Sequence, residues 1–339
     1  PRLAGAVDVG AMGGFGVDDA ATTVDLAHLD DATFQRLYKE RIEPCFAANE
    51  GDRLAAVAEF KRMAAIGVAA VAAIGAAVWM WSGEPVIAFM ATLTLGLITL
   101  AIAYHPMRAV AKKLKQEYCG AIASAMGASF QIGGFDPPAL ERIKALRLLP
   151  GYSKSGFEDL FTGAHKGARF ELYEGCLQQR TADNKGRARY TTVFRGQLIR
   201  MRFPRDFLGV TIVRRDMGVF NVFGGGESSG RKLERVRLVD PSFEKAFEVW
   251  GTDQVEARYL LHPVMMERLL GLESGLHGRR IRCAFEGGDI LAAVEGGDLF
   301  EPGDMFTPLV DPSRARRIVD EIASVVRVMD QVLTAQAIR

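Results

Sequence analysis

With 339 residues, the chain has room for a membrane anchor and one or two compact domains. Its 42 basic and 41 acidic residues leave a net charge of +1, which excludes nucleic-acid binding driven by overall charge. Four widely separated cysteines (Cys45, Cys119, Cys176, Cys283) exclude a disulfide framework and a zinc ribbon, and they suit a reducing compartment.

Residues 1–30, dominated by Gly, Ala and Asp, lack the apolar core of a secretory signal and are expected to be flexible. A start at Pro1 without Met is expected from initiator removal or trimming. Residues 31–62 read as a cytoplasmic helical arm. Phe34, Leu37, Tyr38 and Ile42 recur at helical spacing, Pro44 is expected to interrupt the segment, and 53–61 leads toward an apolar run.

Residues 63–104 are the most informative stretch. Two charge-free segments, 63–81 and 85–104, are separated only by Ser82, Gly83 and Glu84. Each is about twenty residues long, the length a helix needs to cross a bilayer. Trp79 and Trp81 mark a water interface, and Pro85 suits a first helical position. Arg53, Lys61 and Arg62 precede the pair and Arg108, Lys112, Lys113 and Lys115 follow it, whereas the link has no basic residue. The positive-inside rule then puts both termini in the cytoplasm. The three lysines are expected near anionic headgroups. The small residues Ala65, Gly67, Ala69, Ala72, Ala73, Gly75 and Ala76 serve packing either within the hairpin or between subunits.

Residues 105–150 read as a second cytoplasmic helical arm and linker, the two arms making a short stalk. Gly133, Gly134, Pro137 and Pro138 mark a boundary, and a helix is expected over 139–149. Residues 151–339 read as a mostly antiparallel domain. Strands are expected over 170–177, 190–203, 209–213, 219–223, 233–239, 279–285 and 290–294. A bulge is expected at Gly196, where bulky residues switch phase, and a hairpin at Gly287-Gly288. Helices are expected over 241–249 and 263–271. A last helix is expected to be capped by Asp311-Pro312, with an apolar stripe of Ala315, Ile318, Ile322, Val325, Met329 and Val332. The fold class is therefore α+β: a transmembrane helical hairpin with a helical stalk, then a β domain with inserted helices and a C-terminal helix.

The run from Gly224 to Lys232 resembles a phosphate loop but lacks the metal-holding hydroxyl and the following helix, so a strand-to-strand loop is expected. Asp253, Glu256 and His262 form a candidate polar site, yet the Asp253-x-x-Glu256 spacing is that of a capping box and His262-Pro263 that of a helix start. No metal site, cofactor site or catalytic set emerges. One constellation remains. Between Arg187 and Arg237, twelve basic residues face four acids, a local charge of +8. Arg195, Arg200, Arg202, Arg214, Arg215, Arg235 and Arg237 are its candidate anion-contacting members, because the guanidinium fork matches phosphate and carboxylate. The alternative is a solvated sheet face with cross-strand ion pairs. Stacking aromatics are sparse among these arginines, so nucleic acid is not expected.

The stretch from Phe243 to Pro263, running on through Met266-Glu267-Arg268-Leu269-Leu270, resembles the bacterial domain-of-unknown-function family 3137. Phe157-Glu158-Asp159-Leu160-Phe161-Thr162-Gly163 and Val193-Phe194-Arg195-Gly196 fit the same family, as does a two-span hairpin ahead of the domain. The resemblance spans roughly residues 30–335 and implies a bacterial membrane protein. It implies no reaction, cofactor or catalytic residue. His262 departs from the Thr that relatives tend to place before that proline, which weakens a cap.

These readings converge on a multi-pass protein of the bacterial inner membrane, a non-enzymatic binding or scaffold module. Its expected partners are the bilayer, anionic headgroups or an acidic protein, and further copies of itself. A structural subunit of a large homo-oligomer and a membrane-bound hydrolase or transferase are the alternatives.

Overall fold

A computed structural model of the chain describes residues 29–182, 187–215, 227–228, 231–238, 243–244, 247–301 and 304–337. The expectations for residues 1–28, for a strand over 219–223 and for Gly224-Gly225-Gly226 therefore lie outside the described residues.

Helix α1 (Asp31–Leu37) begins at Asp30, whose carboxylate accepts from the Thr33 backbone N–H at 2.8 Å. It continues through a π turn (Tyr38–Ile42) into α2 (Glu43–Ser82). The break expected at Pro44 does not occur. Pro44 falls in the first turn of α2, where a missing N–H is tolerated, and the wider π turn before it accommodates the ring. Gly83 ends α2 in the left-handed region (φ +69), with its N–H on the Trp79 carbonyl at 2.9 Å, and Pro85 opens α3 (Pro85–Ala125). The two helices form the expected antiparallel pair. A Cβ on Gly67 would lie 2.1 Å from Thr99 and one on Gly75 2.2 Å from Thr92, so these glycines serve packing within the hairpin.

Nine strands form one antiparallel sheet, in the order β1-β2-β3-β4-β11-β10-β5-β9-β8. They are β1 (Ser129–Gln131), β2 (Lys154–His165), β3 (Ala168–Ala182), β4 (Ala188–Arg202), β5 (Thr211–Arg215), β8 (Glu234–Val236), β9 (Phe247–Gly251), β10 (Arg279–Glu286) and β11 (Asp289–Glu295). A separate short ladder joins β6 (Glu227–Ser228) to β7 (Arg231–Lys232), a strand-to-strand connection and not a phosphate-loop helix. Gly287 (φ +56) turns β10 into β11 between the paired Glu286 and Asp289, as expected. Helices α4 (Leu140–Ala145), α5 (Gln254–Leu260), α6 (Pro263–Gly275) and α7 (Pro312–Ala337) complete the domain.

Both faces of the sheet are buried. On one lie the sheet-proximal ends of α2 and α3 together with α1, α5, α6 and α7; on the other lies α4 with the chain around it. This explains the apparent phase switch in β4. Phe194 and Leu198 enter one core and Ile199 and Met201 the other, so both parities are apolar and no bulge is needed at Gly196. The actual register shift sits opposite Leu177 and Gln178, leaving Val193 without a ladder partner. Two helix assignments also change. The 139–149 helix shortens to α4, and the end of the helix expected over 241–249 is instead part of the strand β9 (Phe247–Gly251), whose alternate residues Phe247, Val249 and Gly251 are buried. Helix α7 starts as read, Asp311 accepting from Ser313 N–H at 2.9 Å, and all six residues of its stripe are buried.

The arms do not stand apart as a stalk. Phe34, Tyr38, Phe46, Tyr118 and Ile122 share one continuous core with the sheet and α7, and Phe46 stacks on Tyr118 at 4.0 Å between ring centres.

Candidate functional site

The junction between hairpin and sheet is built from segments remote in sequence. At the sheet end of the hairpin, the chain after β11 returns to the helices. Arg53 Nη1 donates to the Met305 carbonyl at 2.5 Å, and Glu50 accepts from Leu309 N–H at 3.1 Å. Phe306 meets Phe60 edge-on at 5.8 Å, and Phe60 meets Tyr104 at 6.1 Å. Arg316 of α7 reaches Asp31 at 2.7 Å. A cleft of about 350 Å³ opens here, lined by Ala111, Lys112, Leu114, Lys115, Ile132, Glu158, Glu301, Asp304, Met305 and Leu309.

Lys115 forms one wall of the cleft and points inward, not toward headgroups as expected. Its Nζ lies 2.5 Å from Asp159 and 2.8 Å from Glu301. Lys113 is likewise committed, to Asp52 at 2.8 Å, while Lys112 is exposed. Burial opposes the Lys115 charge, but its hydrogen bonds to both acids outweigh that and raise its pKa above the ordinary value. Asp159 is fully buried in a left-handed conformation (φ +59), within a register shift of β2. Burial pushes its carboxyl up to about 6 against the pull of Lys115, leaving the pair ionised at neutral pH.

A second set of buried polar groups lies on the same face of the sheet. Glu174 accepts from Leu299 N–H at 2.7 Å through one oxygen, and its other oxygen has no partner. Gln197, opposite it in the ladder, donates to the Gly297 carbonyl at 2.8 Å. Neither carboxylate oxygen of Glu321 on α7 has a hydrogen-bond partner. Burial lifts both glutamates to about 8, so they are mainly protonated at neutral pH.

The seven candidate arginines do not share one surface. Arg200 and Arg202 converge on buried Asp289 at 3.3 and 3.5 Å, joined there by Arg142 of α4. Arg214 lies on the same face and donates to the Leu146 carbonyl at 3.1 Å. Its neighbour Arg215 faces the other way, pairing with Glu273 at 2.5 Å and lying 4.6 Å over the Phe247 ring. Arg195 pairs with Asp298. Arg235 and Arg237 are exposed, Arg235 on the edge strand β8 and Arg237 just beyond it. Ion pairing thus accounts for all four of Arg195, Arg200, Arg202 and Arg215, across strands for Arg200 and Arg202, with Asp298 beyond β11 for Arg195 and with Glu273 of helix α6 for Arg215.

The polar trio has structural roles. Asp253 caps α5, accepting from Val255 and Glu256 N–H at 2.8 and 2.9 Å. Glu256 does not complete the expected capping box. Its oxygens accept from Leu208 and Gly209 N–H at 2.7 and 2.6 Å, fastening the approach to β5. His262 precedes α6 without a side-chain cap, and its Nε2 lies 3.3 Å from Gln331 of α7. Among the described residues, no group of three or more His, Cys, Asp or Glu is arranged to hold a metal ion.

Residues 192–333 match the sequence profile of a family described as a protein of unknown function (DUF3137). The match supports the resemblance to that family over this stretch of the chain. The match contains the Phe243–Pro263 segment on which the resemblance rests, and it takes in the sheet from β4 onward and most of α7. No curated protein matches the sequence. Among solved structures, the crystal structure of the mycobacterial trehalose monomycolate transport factor A is similar at 12% identity, covering 64% of this chain and 96% of that one, with a TM-score of 0.30. A score that low carries no argument about this chain.

Asp159, Glu174 and Glu321 are not marked as site residues by their sequence, and Lys115 reads there only as one of three lysines facing headgroups. The available signal was an acid inside an otherwise strand-like run, as in Phe157-Glu158-Asp159-Leu160-Phe161. An exposed strand face gives the same signal.

Proposed function

We propose that this protein is a membrane-anchored binding or scaffold module, its hairpin crossing the bacterial inner membrane and its sheet domain held on the cytoplasmic side. One observation supports this most directly. The two helices are long and apolar enough to cross a membrane, and they leave their apolar side chains outward between residues 63 and 104: Val68 is 70% exposed, Phe89 65% and Leu97 62%. Such a surface is favourable in lipid and costly in water. Basic residues flank only the domain end of the pair, which favours a cytoplasmic domain.

The working surface is read as a contact surface for anionic groups, headgroups or an acidic partner, carried by those arginines that lack a carboxylate. Assembly with further copies is part of the same reading. Gly67 and Gly75 are consumed within the hairpin, but Ala65, Ala69, Ala72, Ala73 and Ala76 remain outward as a small-residue face.

The test is protease mapping of the full chain in cells, spheroplasts and inverted vesicles, with alkaline extraction of each membrane fraction. Retention in the extracted membrane and cleavage of the sheet domain only in inverted vesicles are expected. Release by alkali, or cleavage from the outside of spheroplasts, overturns the anchor and its orientation. A monomeric mass in mild detergent overturns the assembly component.

A further inference from the structure

Several arginines of the sheet form an ion pair with a nearby acid, but Arg214 does not, and it sits in a cluster of like charge. Arg214 of β5 and Arg282 of β10 stand directly opposite each other across an antiparallel ladder, on one face. Like charges placed this way repel. Both donate to the loop after α4: Arg214 Nη2 to the Leu146 carbonyl at 3.1 Å and Arg282 Nη1 to the Leu148 carbonyl at 3.0 Å. Between those two carbonyls lies Arg147, whose backbone is left-handed (φ +55). Burial, and then the charges of Arg147 and Arg282, weaken the hold of Arg214 on its proton.

The acids nearby do not resolve this crowding. Arg282 is paired with Glu295. Glu248 faces Arg214 from the opposite neighbouring strand. Among the described residues, however, neither Arg214 nor Arg147 forms an ion pair, and the Nε–H of Arg214 is buried without an acceptor. Arg214, with an orphaned buried donor, and Arg147 leave two guanidinium charges without an ion pair beside Arg282, and an acceptor-rich anion would satisfy the donor and offset the repulsion.

We propose that Arg147, Arg214 and Arg282 form a binding site for an oxyanion, a phosphate or carboxylate group carried by a lipid headgroup or by a soluble ligand. The proposal rests on the contact reading above and not on the membrane anchor. Arg147 and Arg282 extend the candidate set beyond the sequence-derived arginines, whereas Arg200 and Arg202 belong to the Asp289 network.

The full chain in detergent is titrated with inorganic phosphate against chloride at matched ionic strength, following thermal unfolding. Saturable stabilisation by phosphate is expected, weakened about tenfold by Arg147→Gln or Arg214→Gln and unchanged by Arg189→Gln, on a distant part of β4. A second arm compares nanodiscs of phosphatidylcholine with and without phosphatidylglycerol. Stabilisation by phosphatidylglycerol that needs Arg147 assigns the anion to a headgroup, and stabilisation by phosphate alone assigns it to a soluble ligand. Arg147→Gln removes no hydrogen bond that the fold uses, so it remains informative if Arg214→Gln fails to fold. An equal response in wild type and Arg147→Gln means an adventitious ion only, and no phosphate effect beyond chloride means no site; either overturns the proposal. Because the first arm needs no bilayer, failure of the membrane anchor would leave its result intact.

Discussion

Helices α2 and α3 do opposite things along their length. Between residues 63 and 104 they touch mainly each other and turn Val68, Phe89 and Leu97 outward; below Tyr104, Leu114, Tyr118, Cys119 and Ile122 of α3 are at most 2% exposed and build the domain core. The contrast shows that hydrophobicity alone does not define the anchor. Apolar side chains occur in both halves, and what differs is whether the protein supplies a surface to cover them.

The sharpest way to break this contrast is to disturb the lower half. Lys115→Met leaves Asp159 buried without its counter-charge and should destabilise by about 3–5 kcal/mol, read from denaturant unfolding of the full chain in detergent. An unchanged midpoint would mean that the junction is not a packed interior. Tyr118→Ala removes a ring stacked on Phe46 and should cost about 3–5 kcal/mol by the same measurement.

A smaller effect is expected at the hairpin contact. Gly67→Val forces a methyl into Thr99 and should cost about 1–3 kcal/mol, seen as loss of a disulfide or crosslink engineered between the spans. The pH response tests the interior from another side. Glu174 and Glu321 have folded pKa values of about 8, above the ordinary 4.5, and Asp159 about 6, above 3.8. The folded state therefore holds protons that the unfolded chain has released, and this contribution is full below about pH 4 and lost as pH rises through 6 to 8. Thermal stability should fall across that window, and Glu174→Gln with Glu321→Gln should flatten the fall. The least effect belongs to the upper half: Phe89→Ala should change stability in detergent by no more than about 0.5 kcal/mol.

Much of this contrast is legible in the sequence, because charge-free length, flanking lysines and the Asp311-Pro312 start are local signals. The sharing of one core by the arms and the sheet is not, since Phe46 and Tyr118 meet only through tertiary packing. The same limit applies to the Lys115–Asp159 pair, whose members sit on a helix and a strand. Arginine pairing was partly legible. A period of two sends Arg214 and Arg215 to opposite faces, but only the strand order sets Arg214 against Arg282 and Arg200 beside Asp289. At β9, Phe247-Glu248-Val249-Trp250-Gly251 is too short for periodicity to separate strand from helix.

The return of the chain after β11 to Arg53, Phe60 and Glu50 has a mechanical meaning. Helix α3, packed against α2, runs unbroken over 41 residues, about 60 Å at 1.5 Å per residue, and its own lower end is held by Asp159 and Glu301 at Lys115 and by the Phe130 carbonyl at Gln116. Such a rod has no slack joint between the apolar end of the hairpin and the sheet, so tilting the hairpin would swing the whole sheet as a lever. Pro106, just past Tyr104, is the proline inside α3, unable to donate into the helix, and it is where that lever would bend first.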